Sequence, residues 1–257
     1  MKTITVKLAL LALFFAGAVT ANAQKLPNVQ QSSLRAPANI KVDGKATEWD
    51  NQFQAYNKAT DIAYTLSNDD ERFYLIVQAK YHDVIDKILR GGITLTINHS
   101  LNKKDDEHIA ITYPVFTGSG QSDVTNMLAR KENEKRDANN SDVSIDDMNK
   151  VLDVRSKSIR VSGIKPVTDN DISVYNQQGI KAASQFDKQI AYTYELAIPL
   201  KYLTLPNNGA DGFTYNIKIN EPSDEPVSHG DAPPSPPMAI TATVSTDFWG
   251  KYILAKK

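Results

Sequence analysis

The chain has 257 residues, 29 Lys and Arg against 30 Asp and Glu, a formal net charge of −1 and no cysteine. This balance excludes the basic stripe of a nucleic-acid binder, and the missing cysteines exclude disulfides, thiol nucleophiles and Cys-type zinc sites. At this length a core forms without covalent staples.

In chain order, Lys2 and Lys7 precede an apolar run over 8–19 and then Ala21-Asn22-Ala23. A basic start, a short apolar stretch and an A-x-A site describe a secretory signal peptide over 1–23. The run is too short for a membrane anchor. Its removal takes two lysines and no acid, leaving the mature chain at about −3. No later segment is long and apolar enough to span a bilayer, so no membrane span is expected after cleavage. Residues 24–35 read as a flexible lead-in, and 36–257 as one domain.

Residues 40–51 read IKVDGKATEWDN. Ile40 and Val42 have the spacing of inward residues on a first strand, Asp43-Gly44 that of the turn ending it, and Trp49 that of a core aromatic. Alternation of period two then recurs at Phe73, Leu75, Val77 and Ala79, at Ile93, Leu95 and Ile97, and at Ile109, Ile111, Tyr113 and Val115. It returns at Ile190 to Ile198 and at Phe213 to Ile219. Each such run predicts a strand with one buried face, and turn signals between them predict a sandwich or barrel. Residues 67–71 and 207–212 are rich in Ser, Asn, Asp and Gly and read as loops. Residues 176–179 and 187–188 bracket a further strand.

Two stretches break the pattern. Residues 119–152 read as a helical insertion, with Ser122 and Ser144 as N-caps and Asp147 three residues after the second. Residues 221–237 form a proline-rich loop of the length that often carries function.

The H-E-x-x-H, G-x-S-x-G, Walker, G-x-G-x-x-G and EF-hand signatures are all absent. His99 and His108 flank a loop containing Asp105, Asp106 and Glu107. Imidazole and carboxylate together suit a divalent cation, but a solvated charged hairpin accounts for the same residues. The acids at 69–71 and 146–147 fit a turn and a helix start as well as a glycosidase pair. Aromatic residues at strand ends suit a sugar ligand, whose apolar ring faces stack on them while polar side chains take the hydroxyls. Tyr81, Tyr113, Phe248 and Trp249 are the candidates for such a loop-built site.

The segments APANIKVDGKATEWDN, SNDDERFYLIVQAK, GGITLTINHSLNKKDDEHIAITYPV, YTYELAIPLKYL and FWGKYILAKK together resemble carbohydrate-binding module family 9-like domains of the wider DOMON-like group. The matching motif residues are Asp43, Gly44, Trp49, Glu195 and Pro199, and the resemblance covers nearly all of 36–257. It implies an all-β fold, a two-sheet antiparallel β-sandwich of jelly-roll or immunoglobulin-like type. It also implies a non-catalytic module that binds a polysaccharide or glycan outside the cytoplasm, in the periplasm or beyond. Three alternatives stay open: an envelope structural or protein-interaction domain, a glycoside hydrolase, and a haem domain like some DOMON-like relatives. Met127, Met148 and Met238 carry no matching haem motif, and no cofactor is expected. Glu195 is expected to be partly buried, with a partner near the 198–200 corner.

Overall fold

The computed structural model describes residues 25–101, 108–134, 143–165, 167–203, 212–222 and 244–257. The leader at 1–23, the acids at 105–107, the loop at 207–211, most of the proline-rich stretch and Met238 lie outside these residues.

The alternating segments form strands β1 (Ala55–Asn57), β2 (Ile62–Asn68), β3 (Arg72–Ala79), β4 (Ile93–Asn98) and β5 (His108–Val115). After the helical insertion come β6 (Ser158–Ser162), β7 (Asp171–Ser173), β8 (Lys181–Phe186), β9 (Tyr192–Pro199), β10 (Gly212–Ile219) and β11 (Thr246–Ile253). They build two antiparallel sheets, one of order β1-β2-β3-β9-β8 and one of order β11-β10-β4-β5-β6-β7. The expected two-sheet sandwich is the fold. Strands before and after the insertion share both sheets, so the helices sit within one sandwich.

Register explains the core. Leu66 pairs with Leu75, and Leu75 with Leu196, while Leu95 pairs with both Ile111 and Ile217, so each sheet lines up its apolar set on one face. Aromatic residues close the gap between sheets. Phe73 meets Phe213 edge-on at 5.1 Å and Tyr252 at 5.2 Å, and the Tyr64 and Tyr215 hydroxyls pair at 3.0 Å. Such contacts add to plain area burial.

The outer face of the five-stranded sheet is also covered. Tyr74, Ile76 and Ala197 pack against Ala46 and Trp49, with Ile40, Val42 and Phe53 partly buried around them. Residues 40–42 are therefore not an inward strand; they lie across the outside of β3 and β9 with no ladder partner. Trp49 is buried, as expected of a core aromatic, but in this second cluster rather than between the sheets. Residues 25–35 run along β2. Gln30 is buried there, its side-chain Oε1 accepting the Leu66 N–H at 2.7 Å and its Nε2 donating to the Leu66 carbonyl at 2.8 Å.

Three α-helices among the described residues complete the fold. Helix α1 (His82–Gly91) links the two sheets where the sequence reading places only a strand end. Its Val84, Ile85, Ile88 and Leu89 are buried at helical spacing, and Gly92, with φ of 75°, ends it. The insertion is α2 (Gly120–Glu134) and α3 (Ile145–Arg155). Ser144 caps α3 as expected, its hydroxyl accepting the Asp147 N–H at 3.0 Å. Ser122 does not cap α2, which begins two residues earlier, with the Asp123 N–H donating to the Ser119 carbonyl. Helix α3 packs on β8, and that contact creates the site described next. Among the described residues no helix is long and apolar enough to cross a membrane.

Candidate functional site: a cleft on the edge of β8

Strand β8 is an edge strand, paired with β9 alone. Along a strand, successive residues turn their N–H and C=O to opposite sides. The Phe186 N–H donates to Asn149 Oδ1 at 2.8 Å and its carbonyl accepts from Asn149 Nδ2 at 2.9 Å, so Phe186 faces away from β9. Ile180 does the same with Asn176. Its carbonyl accepts from Nδ2 at 2.7 Å and its N–H donates to Oδ1 at 3.3 Å. Two side-chain amides thus stand where a neighbouring strand would stand, one at each end of β8. By the same parity, Ala182 and Ser184 between them turn their N–H and C=O outward. Among the described residues no protein group bonds to these four outward groups.

They open onto a cleft of about 590 Å³ walled by β8, α3 and the 174–180 turn. This is within the usual range for small-ligand pockets. Its charged lining residues are Asp43, Asp153, Lys157 and Lys181, two of each sign. Tyr175 stands at the mouth, 76% exposed. Lys157 Nζ lies 5.1 Å from its ring centre and 2.7 Å from Asp153 Oδ1. Burial pulls the Lys157 ammonium down, but the Asp153 and Tyr175 partners outweigh it and raise its pKa.

Hydroxyls gather beneath the cleft: Tyr113, Ser156 and Ser184 line it, and Tyr192 and Tyr194 are fully buried and do not. Tyr113 donates to Ser156 Oγ at 3.0 Å, and Ser156 donates to the Leu152 carbonyl at 2.6 Å. Ser184 Oγ lies near enough to the Tyr113 and Tyr192 hydroxyls to ease their ionisation slightly. Even so, Ser184 Oγ, Tyr192 Oη and Tyr194 Oη make no hydrogen bond among the described residues. Burial drives all three tyrosine pKa values up, so the hydroxyls stay neutral and able to donate. A buried hydroxyl without a partner costs about 1–3 kcal/mol, which makes three of them at one place informative.

The structure brings only one of the four expected sugar residues to this cleft. Tyr113 lines its floor, buried rather than at a loop. Tyr81 is 54% exposed at the start of α1, near Tyr56 and Asp61. Phe248 is buried between the sheets against Tyr64 at 5.0 Å, where the strand's inward face puts it out of ligand reach. Trp249 is half-buried on the opposite face of β11, paired in register with Asn216. His108 is exposed opposite Asn98, and His99 Nδ1 is buried without a hydrogen-bond partner. Among the described residues no three His, Asp or Glu side chains gather as a metal site.

The motif residues work on the other face of the same sheet. Glu195 is 1% exposed. Its Oε2 accepts the Asp43 N–H at 2.8 Å and the Gly44 N–H at 2.7 Å, while Oε1 has no partner. Burial dominates and lifts its pKa from 4.5 to about 8 against those two donors. Glu195 is therefore buried and bonded as expected, but to the Asp43-Gly44 turn rather than the Pro199 corner. Gly44, with φ of 84°, lies so close to β8 that a Cβ would sit 2.5 Å from the Ser184 carbonyl carbon. Pro199 ends β9 opposite Arg72.

Sequence reasoning missed Asn149, Asp153, Lys157, Tyr175, Asn176 and Ser184. Asn176 stood in a recognised turn and Asn149 in a recognised helix, but pairing with a strand edge has no local signature. No protein-family model matches this chain, and neither does any of the curated proteins compared with it.

Proposed function

We propose that this protein is a non-catalytic β-sandwich module that binds an uncharged carbohydrate in the β8 cleft, outside the cytoplasm. The observation that carries the reading is the combination at the cleft of an exposed Tyr175 ring with the buried, unpaired Ser184 hydroxyl. A sugar needs both an aromatic surface for its C–H face and polar partners for its edge. Gln185 supplies a further polar group, and the balanced charges of the lining suit a neutral ligand. The leader-like start of the sequence and its resemblance to carbohydrate-binding modules agree with this reading.

Calorimetric titration of the protein with neutral oligosaccharides tests it. Binding of at least one, weakened about tenfold or more by Tyr175→Ala, is the expected result; loss of one stacked ring accounts for a change of that size. Absence of binding to every glycan, together with capture of a specific protein partner, would overturn it in favour of an interaction domain.

A further inference from the structure

We infer that the open stretch of the β8 edge is a subsite for a secondary amide, which makes the ligand an N-acetylated sugar; this rests on the carbohydrate reading above. The argument starts from how the sheet treats its two edges. On the β2 side, every outward position beyond Ile62 has a partner. Tyr64 pairs with Ala55, Leu66 with the Gln30 amide, and Asn68 with the backbone of Leu34 and Ala36. On the β8 side, Ile180 and Phe186 are closed by Asn176 and Asn149, and the two positions between them are left open onto the cleft.

An edge closed at both ends cannot add a strand of ordinary length. The two open residues span about 7 Å, which is room for one amide and its neighbours. The groups that face the cleft are those that pair with peptide units, a row of N–H and C=O. An acetamido group is a peptide unit. It is trans, so its carbonyl and N–H point to opposite sides. Its carbonyl accepts an outward N–H of Ala182 or Ser184, and its N–H turns to the facing wall. There Asp153 lies one helical turn after Asn149 on the same face of α3 and offers a carboxylate. The methyl meets small apolar side chains of the lining, Val174 and Ala182 among them. Ser184 supplies an independent sign of a ligand at this place: it lines the cleft, is 7% exposed, and its hydroxyl has no partner. A ring hydroxyl beside the acetamido group satisfies it.

The test compares N,N′-diacetylchitobiose with cellobiose, which carries hydroxyls in place of the acetamido groups. Calorimetry is expected to show the acetylated disaccharide binding about tenfold or more tightly, the size of one or two added hydrogen bonds. Amide hydrogen exchange at Ala182 or Ser184 is expected to slow in its presence. Ala182→Pro deletes an outward N–H without touching the β9 ladder, the one proline placement an edge strand accepts, and is expected to reduce the preference. If that variant does not fold, the exchange measurement on the unaltered protein still decides. Equal affinity for the two disaccharides, or tighter binding without slowed exchange at either residue, overturns the amide subsite and leaves the carbohydrate reading standing. Binding of an N-acetyl tripeptide amide with no binding of any glycan overturns both.

Discussion

The two edges of the five-stranded sheet are finished differently. The β2 edge is sealed by three devices in succession: strand β1, the Gln30 side chain and the backbone of residues 34–36. The β8 edge uses the same device, a side-chain amide, at its two ends and leaves the middle open. Exposed strand edges invite unwanted pairing, so natural sheets cover them. A gap that is bounded, walled by a helix and lined by the unpaired Ser184 hydroxyl is different from an unfinished edge. It reads as a place kept for a ligand, while the closed edge and the covered outer face hold the frame around it.

That contrast can be broken or sharpened by substitution. The largest effect is expected at Gly44, where the frame touches β8 most closely. Gly44→Ala places a methyl against the Ser184 backbone and forces an L-residue to positive φ, for a loss of about 3 kcal/mol in chemical unfolding. A neutral result would mean that the turn does not anchor β8.

Glu195 gives the next. In the folded protein it holds its proton up to about pH 8, and in the unfolded chain only to about 4.5. The native state then binds more protons between those values, so stability falls as pH rises across that window. Glu195→Gln is expected to flatten the slope. Identical pH dependence of Tm in variant and parent would show that the carboxyl is ionised inside the fold.

Gln30→Ala leaves the buried Leu66 N–H and C=O unpaired, and a loss of about 2 kcal/mol is expected. Asn149→Ala exposes Phe186 beside the open cleft, where water can reach it, and is expected to cost about 1 kcal/mol. Equal losses at the two positions, measured by denaturant midpoints, would remove the distinction between a sealed and an open edge.

Much of the frame was legible in the residues. Period-two alternation placed β3, β4, β5, β9 and β10, because each buries one face of a twisted sheet against the other. Ser144 with Asp147 announced the start of α3. The motif glutamate was expected to be buried, and it is, but its donors on Asp43 and Gly44 lie about 150 residues away in sequence, beyond any local signal. Helix α1 was overlooked although Val84, Ile85, Ile88 and Leu89 carry its spacing, because the preceding strand drew Tyr81 and His82 into its own end. Residues 40–42 alternate like a strand yet form none. Their apolar side chains cover a sheet face, and alternation cannot distinguish the two.

The cleft was the least legible part. Tyr113 was singled out for its place at a strand end, and the cleft does use it. Its companions come from α3, the 174–180 turn and β8, and they meet only through packing of the insertion on the sheet edge. Tyr81 and Trp249 carry the more obvious aromatic signal and do not line it.

A backbone amide shift map of the protein, titrated with N,N′-diacetylchitobiose, tests the central claim most directly. The account predicts shifts clustered at residues 149–157 and 174–185, with Ala182, Ser184 and Tyr175 among them. Shifts centred on Tyr56 and Tyr81, or on the face of β11 around Trp249, would contradict it, and so would a spectrum that does not change.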